Sequence, residues 1–156
     1  VRLLLHSIAL GNLKPLAPKE GELSLNEEDF RETIHNMGSS LVGWIQAIQD
    51  RGLFASDARV LGLTSEGNQI AWEGYAAVSA AKCTLEAIIR SVAREFAPLG
   101  IRANVLHPGV TDTPALRLIP GAEAMLADAV PSAPSTSGSA RASGASAPGS
   151  SPSSSA

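Results

Sequence analysis

Two hydrophobic periods alternate along the first 130 residues. Arg2 to Leu5 is a short apolar run and reads as a buried strand. Farther on, Phe30, Ile34, Met37, Leu41, Trp44, Ile45 and Ile48 recur at helical spacing, which predicts one continuous helix stopped by Gly52. Asn26 stands before it as an N-cap, and Glu27, Glu28 and Asp29 suit the positive end of the helix dipole. Arg59 to Thr64 reads as a second strand. A second helix is predicted over Tyr75 to Ala97, with Val78, Leu85, Ile89, Val92 and Phe96 as its stripe and Pro98 and Gly100 as its stop. Ile101 to Leu106 reads as a third strand. Strands alternating with helices predict an α/β fold with a parallel sheet and helical crossovers. Such a sheet binds ligands beyond the carboxyl ends of its strands.

Composition narrows the picture. The chain has 156 residues and a net charge of -3, which suits one ordinary domain without bias toward nucleic acid. A single cysteine, Cys83, excludes an internal disulfide and fits a reducing compartment. No apolar run approaches the roughly 20 residues that span a bilayer. The start, Val1-Arg2-Leu3-Leu4-Leu5-His6, lacks the pattern of a signal peptide. It opens within a strand and without Met, which predicts an internal piece of a longer chain. Residues 131–156 are Ser, Ala, Pro and Gly apart from Thr136 and Arg141. Nothing there can be buried to offset ordering entropy, so residues 1–130 are predicted to form the domain and 131–156 a disordered tail. His6, His35 and His107 match no metal-ligand spacing, and Trp44 and Trp72 read as packing residues.

Candidate chemistry gathers at the predicted strand ends. His6-Ser7-Ile8-Ala9 follows the first strand, and its small residues would let backbone approach a ligand. Leu63-Thr64-Ser65 ends the second, placing a hydroxyl ten residues before Tyr75. Asn104-Val105-Leu106-His107-Pro108-Gly109-Val110-Thr111-Asp112-Thr113 turns off the third and offers two threonine hydroxyls. Each of these also reads, by itself, as ordinary turn chemistry. Tyr75 and Lys82 lie seven positions apart, nearly two helical turns, so they share a face. A helical lysine leans toward the N-terminus, back toward the tyrosine. An ammonium beside a phenol favours it as a hydrogen-bond donor to a developing negative charge. A core tyrosine beside a solvated lysine is the plain alternative.

Taken in order, these segments resemble a short-chain dehydrogenase/reductase, and most closely its enoyl-acyl carrier protein reductase branch, over about Val1 to Gly121. Most members of that superfamily place tyrosine four residues before lysine. Here position 78 is Val, and the six-residue separation of Tyr75 and Lys82 is similar to the enoyl reductase branch. His6-Ser7-Ile8-Ala9 and Pro108-Gly109-Val110-Thr111-Asp112-Thr113 resemble further motifs of the family. The resemblance implies part of a Rossmann-like, doubly wound parallel sheet, without the glycine-rich nucleotide-binding segment that precedes it in the family. It implies that Tyr75 bonds the thioester carbonyl oxygen of an enoyl substrate and that Lys82 holds the nicotinamide ribose. Ser65 falls where many enoyl reductases have a second tyrosine and some have serine, which makes it a candidate catalytic residue. Ser7, Ile8, Ala9, Thr64, Lys82, Pro108, Gly109, Thr111 and Thr113 are the implied cofactor-binding residues, and no metal is implied. By the same resemblance, the cofactor is NADH, with NADPH possible. The substrate is a 2-enoyl thioester on acyl carrier protein in fatty acid biosynthesis, and the complete enzyme is a cytoplasmic homo-oligomer, a tetramer. Two alternatives stay open: another short-chain reductase acting on a ketone or alcohol with NADPH, and an inactive truncated fragment whose Tyr75 helix only packs. Residues 1–156 alone are expected to bind NADH weakly or not at all.

Overall fold

The computed structural model describes residues 1–114, 116–119 and 121–128. Three parallel strands form its sheet: β1 (Leu3–His6), β2 (Arg59–Leu63) and β3 (Arg102–Leu106), in the spatial order β1-β2-β3. Leu3 pairs with Arg59 and Arg59 with Arg102, so β2 is central and the carboxyl ends of all three strands open on one edge. The crossovers are helical: α1 (Glu27–Ile34) and α2 (Ser40–Asp50) between β1 and β2, and α3 (Ala76–Glu95) between β2 and β3. A short helix, α4 (Ala122–Asp128), follows β3. This is a partial Rossmann-like α/β sheet. The predicted tail, 131–156, lies outside the described residues. Among the described residues, no helix is long and apolar enough to cross a membrane.

Period-two burial on the strands meets the helical stripes on one side of the sheet. Val60 and Ala103 face inward and pack with Leu41, Ile45, Leu85, Ile89, Val92 and Ile101 in one core. The opposite side carries Leu3, Leu5 and Leu106, each about half exposed. β1 is therefore an edge strand with one bare face rather than a fully buried strand: its inward residues Leu4 and His6 meet the helices, and nothing among the described residues covers Leu3 and Leu5.

Asn26 caps α1 as expected. Its side chain accepts from the Asp29 backbone N–H, and the Asp29 carboxylate accepts from the Asn26 backbone N–H. Lys14 ion-pairs with the same carboxylate at 2.7 Å, and these bonds, the lysine's first, hold it below the usual carboxylate range. That pair ties the long loop after β1 to the start of the helix.

The single long helix predicted here is interrupted. A π-helical turn, His35–Ser39, separates α1 from α2. Gly38 in that turn lies against α3, where an added methyl would sit 2.9 Å from the Ala81 carbonyl oxygen. The widened turn thus fits a close helix crossing that only a residue without a side chain permits. Trp44 is also not a core residue. The α2 stripe centres on Leu41 and Ile45, and Trp44 at its margin is 57% exposed. α3 begins one residue later than predicted, leaving Tyr75 as the residue that caps it, and ends in a tight turn at Ala97–Leu99 and a left-handed Gly100.

Candidate active site

A cleft of about 1030 Å³ opens at the carboxyl ends of the strands. All three loops flagged in the sequence line it. Ser7, Ile8 and Ala9 come from the end of β1; Thr64 and Ser65 from the end of β2; Pro108, Gly109, Thr111 and Thr113 from beyond β3. Tyr75, the N-cap of α3, and Lys82, on α3, both reach it.

Tyr75 is held by backbone and ring contacts together. Its carbonyl accepts the first helical bond, from Ser79 N at 2.9 Å, and its own N–H donates to Trp72 O at 3.2 Å. The Trp72 ring stands edge-on to the phenol ring, centroids 5.2 Å apart and planes at 76°. Gly67, in the 3-10 turn Glu66–Asn68, lies against both rings: a methyl there would come within 2.1 Å of the phenol ring and 3.0 Å of Trp72. The ring is buried, and its hydroxyl lies 3.3 Å from Ser65 Oγ. One site on the cleft side of these two hydroxyls can receive hydrogen bonds from both. Gly67→Ala is expected to displace the phenol and cost roughly 1–3 kcal/mol by overpacking. Urea unfolding reads the stability loss, and a variant as stable as the parent contradicts the packing described.

Lys82 is buried, and its ammonium donates to the Leu63 carbonyl oxygen at 2.8 Å. That bond uses one of three N–H groups and leaves two for the cleft that Lys82 lines. Burial lowers its pKa from 10.5 to about 8. The sign of the pH effect follows. Below about pH 8 the lysine is charged in both states and its burial costs stability; between about 8 and 10.5 only the unfolded chain still binds the proton, so folded stability gains as pH rises. The urea midpoint of the parent chain, relative to Lys82→Met, is expected to rise from pH 8 to pH 10. A flat difference would show that the lysine is not buried as described.

His6, at the end of β1, is buried beside the cleft lining rather than in it. Its Nε2 lies 3.0 Å from Ser40 Oγ, which donates to the Asn36 carbonyl oxygen at 3.0 Å. Because the serine proton is used there, Nε2 is the donor, which leaves buried Nδ1 without a partner. Desolvation first, and the Lys82 charge second, lower the histidine's pKa, which favours the neutral ring.

The hydroxyls flagged in the sequence are engaged in different ways. Thr64 Oγ1 donates to Glu86 Oε1 at 2.5 Å, which uses its proton. Thr111 Oγ1 donates to Gly109 O at 3.1 Å, leaving it an acceptor. Thr113 Oγ1 accepts from Leu116 N at 3.1 Å, leaving its proton to give. Several lining residues were not foreseen from the sequence. Met37 belonged to a helical stripe and Trp72 read as packing, yet both line the cleft beside Tyr75. Ile70, Leu116, Leu118, Ile119 and Met125 give one side an apolar wall.

A sequence profile described as enoyl-(acyl carrier protein) reductase matches residues 1–145. The chain belongs to this family. Membership places it among the short-chain dehydrogenases/reductases, a group of oxidoreductases. The match extends beyond Gly121, the limit of the motif resemblance. A 1-cyclohexenylcarbonyl-CoA reductase of Streptomyces collinus is 31% identical over 90 residues, covering 58% of this chain and 31% of that protein. A cyclic-di-GMP-binding biofilm dispersal mediator protein of Escherichia coli K12 is 34% identical over 98 residues, covering 60% and 39%. The chain therefore spans between three and four tenths of these relatives' length. In fold it is similar to an enoyl-[acyl-carrier-protein] reductase (NADH) from Aquifex aeolicus VF5, with a TM-score of 0.69 at 22% identity, over 82% of this chain and 48% of that one.

Proposed function

We propose that this site reduces the carbon–carbon double bond of a 2-enoyl thioester, presented on acyl carrier protein in fatty acid biosynthesis, with NADH as the reductant. The observation that carries the reading is the pair Tyr75 and Lys82, seven positions apart and both reaching one cleft at the strand ends. The family match supports it, and so does the similarity in fold to the Aquifex enoyl-[acyl-carrier-protein] reductase (NADH).

The residues present fit the nicotinamide end of a dinucleotide. Lys82 keeps two N–H donors for ribose hydroxyls. Ser7, Ala9 and Gly109 are small enough for close approach, the lone pairs of Thr111 suit a carboxamide N–H, and the free proton of Thr113 suits a phosphate oxygen. A nicotinamide held there would supply hydride for the β-carbon.

As the double bond is reduced, negative charge develops on the thioester oxygen. Tyr75 donates a hydrogen bond to that oxygen, with Ser65 as a second donor beside it. Preorganised donors in a water-poor site lower such a barrier by a few kcal/mol. Lys82 adds positive charge behind the phenol. The apolar wall formed by Ile70, Leu116, Ile119 and Met125 takes the acyl chain.

The Ser65–Tyr75 contact also favours a second reading, since two hydroxyl donors on one oxygen suit reduction of a ketone. Rates measured with a 2-enoyl and a 3-ketoacyl thioester, each with NADH and NADPH, separate the two. Preference for the enoyl substrate with NADH is expected; preference for the ketoacyl substrate overturns the first reading.

A further inference from the structure

One carboxylate on α3 holds both flanks of Ser65. Glu86 lies four residues beyond Lys82, one turn along the same helix, and is half-buried. Its Oε1 accepts from Thr64 Oγ1 at 2.5 Å, immediately before Ser65. The same oxygen accepts from Asn68 Nδ2, three residues after Ser65. Lys82 and Cys83 reinforce the seam, with Nζ 2.8 Å from Leu63 O and Sγ 3.9 Å from Asn68 O. Residues 63–68 are thus stitched to the helix that carries the candidate donors, and Ser65 is the residue in that stretch whose hydroxyl turns to Tyr75. An ionised carboxylate only accepts, and charge-assisted bonds from two neutral donors are stronger than neutral ones. Glu86 itself is no part of the cleft lining.

We propose that Glu86 is a positioning residue: it fixes the β2–α3 connection so that the Ser65 hydroxyl stays within reach of Tyr75 and of the oxygen Tyr75 addresses. The inference rests on the proposed function for its kinetic consequence and on geometry alone for its structural one. The two can be tested apart because Tyr75 is the only tyrosine in the chain. Its ring carbon bearing the hydroxyl therefore gives a single resonance in tyrosine-labelled protein.

Ser65→Ala should shift that resonance. Glu86→Leu, which keeps bulk and removes the acceptor, should shift it comparably and add little in the Ser65→Ala background. Glu86→Gln retains an acceptor oxygen and should restore the parent position. In turnover, Glu86→Leu should lower kcat roughly tenfold or more, with KM for NADH unchanged, because small misplacements of reacting groups carry such costs. That loss should vanish when Ser65 is already Ala. If Glu86→Leu does not fold, Asn68→Ala cuts one arm of the clamp and enters the same double-variant comparison. An unmoved Tyr75 resonance in a folded clamp variant, or equal effects with and without Ser65, overturns the proposal. Absence of 2-enoyl thioester reduction in the parent protein refutes the function reading alone and leaves the resonance test standing.

Discussion

Tyr75→Phe is expected to lower kcat for a 2-enoyl thioester by about 10²–10³-fold in the full-length protein, the usual cost of removing one donor to a developing oxyanion. The substitution is a clean one here. Phenylalanine keeps the ring against Gly67 and Trp72, where the packing is set by shape. Only the hydroxyl is removed, and the backbone bonds that start α3 stay intact. Ser65 remains 3.3 Å from where the hydroxyl was, so it can take part of the charge and hold the loss toward the lower bound. KM for NADH should change little, because Lys82 is untouched. Single-turnover measurement of the chemical step checks this, and an unchanged rate would remove Tyr75 from the reaction.

Lys82→Met should act on the other half of the site. Methionine fills the same buried channel without its charge and without a donor for the Leu63 carbonyl oxygen. Hydrogen bonds to charged groups are each worth about 1.5–3 kcal/mol, so loss of the ribose contacts should weaken NADH binding by roughly 10–100-fold. The effect should depend on pH. The parent lysine loses its proton as pH rises through about 8, so parent affinity should fall between pH 7 and 9 while the variant stays flat. Fluorescence titration of NADH at both pH values distinguishes this from general damage to the fold. Equal affinities of parent and variant at pH 7 would refute the assignment of Lys82.

What the sequence made legible was local. Asn26 with Glu27 to Asp29 announced a helix start because capping is decided within four residues, and the capping box is there. The strand order of turns and apolar runs placed Ser7, Ser65, Thr111 and Tyr75 at one edge because parallel strands share a carboxyl end. Features set by contact between distant elements were not legible. The π-helical turn at His35–Ser39 answers to Gly38 meeting Ala81 on another helix, and a periodic stripe carries no trace of that. Thr64 lines the cleft as its position implies, but the bond from its hydroxyl to Glu86 on α3 leaves no trace in the local sequence. Leu3 and Leu5 read as buried because apolar runs usually are, but burial depends on what lies against the far face of the sheet.

The most direct test of the account is the destination of the hydride. The full-length protein is given a 2-enoyl thioester and NADH carrying deuterium at C4 of the nicotinamide, and the product is analysed by mass spectrometry and NMR. The account predicts a saturated acyl thioester with one deuterium on C3 and a solvent proton on C2. An unreduced enoyl substrate, alongside a 3-ketoacyl thioester converted to the alcohol with deuterium on the carbinol carbon, would contradict it.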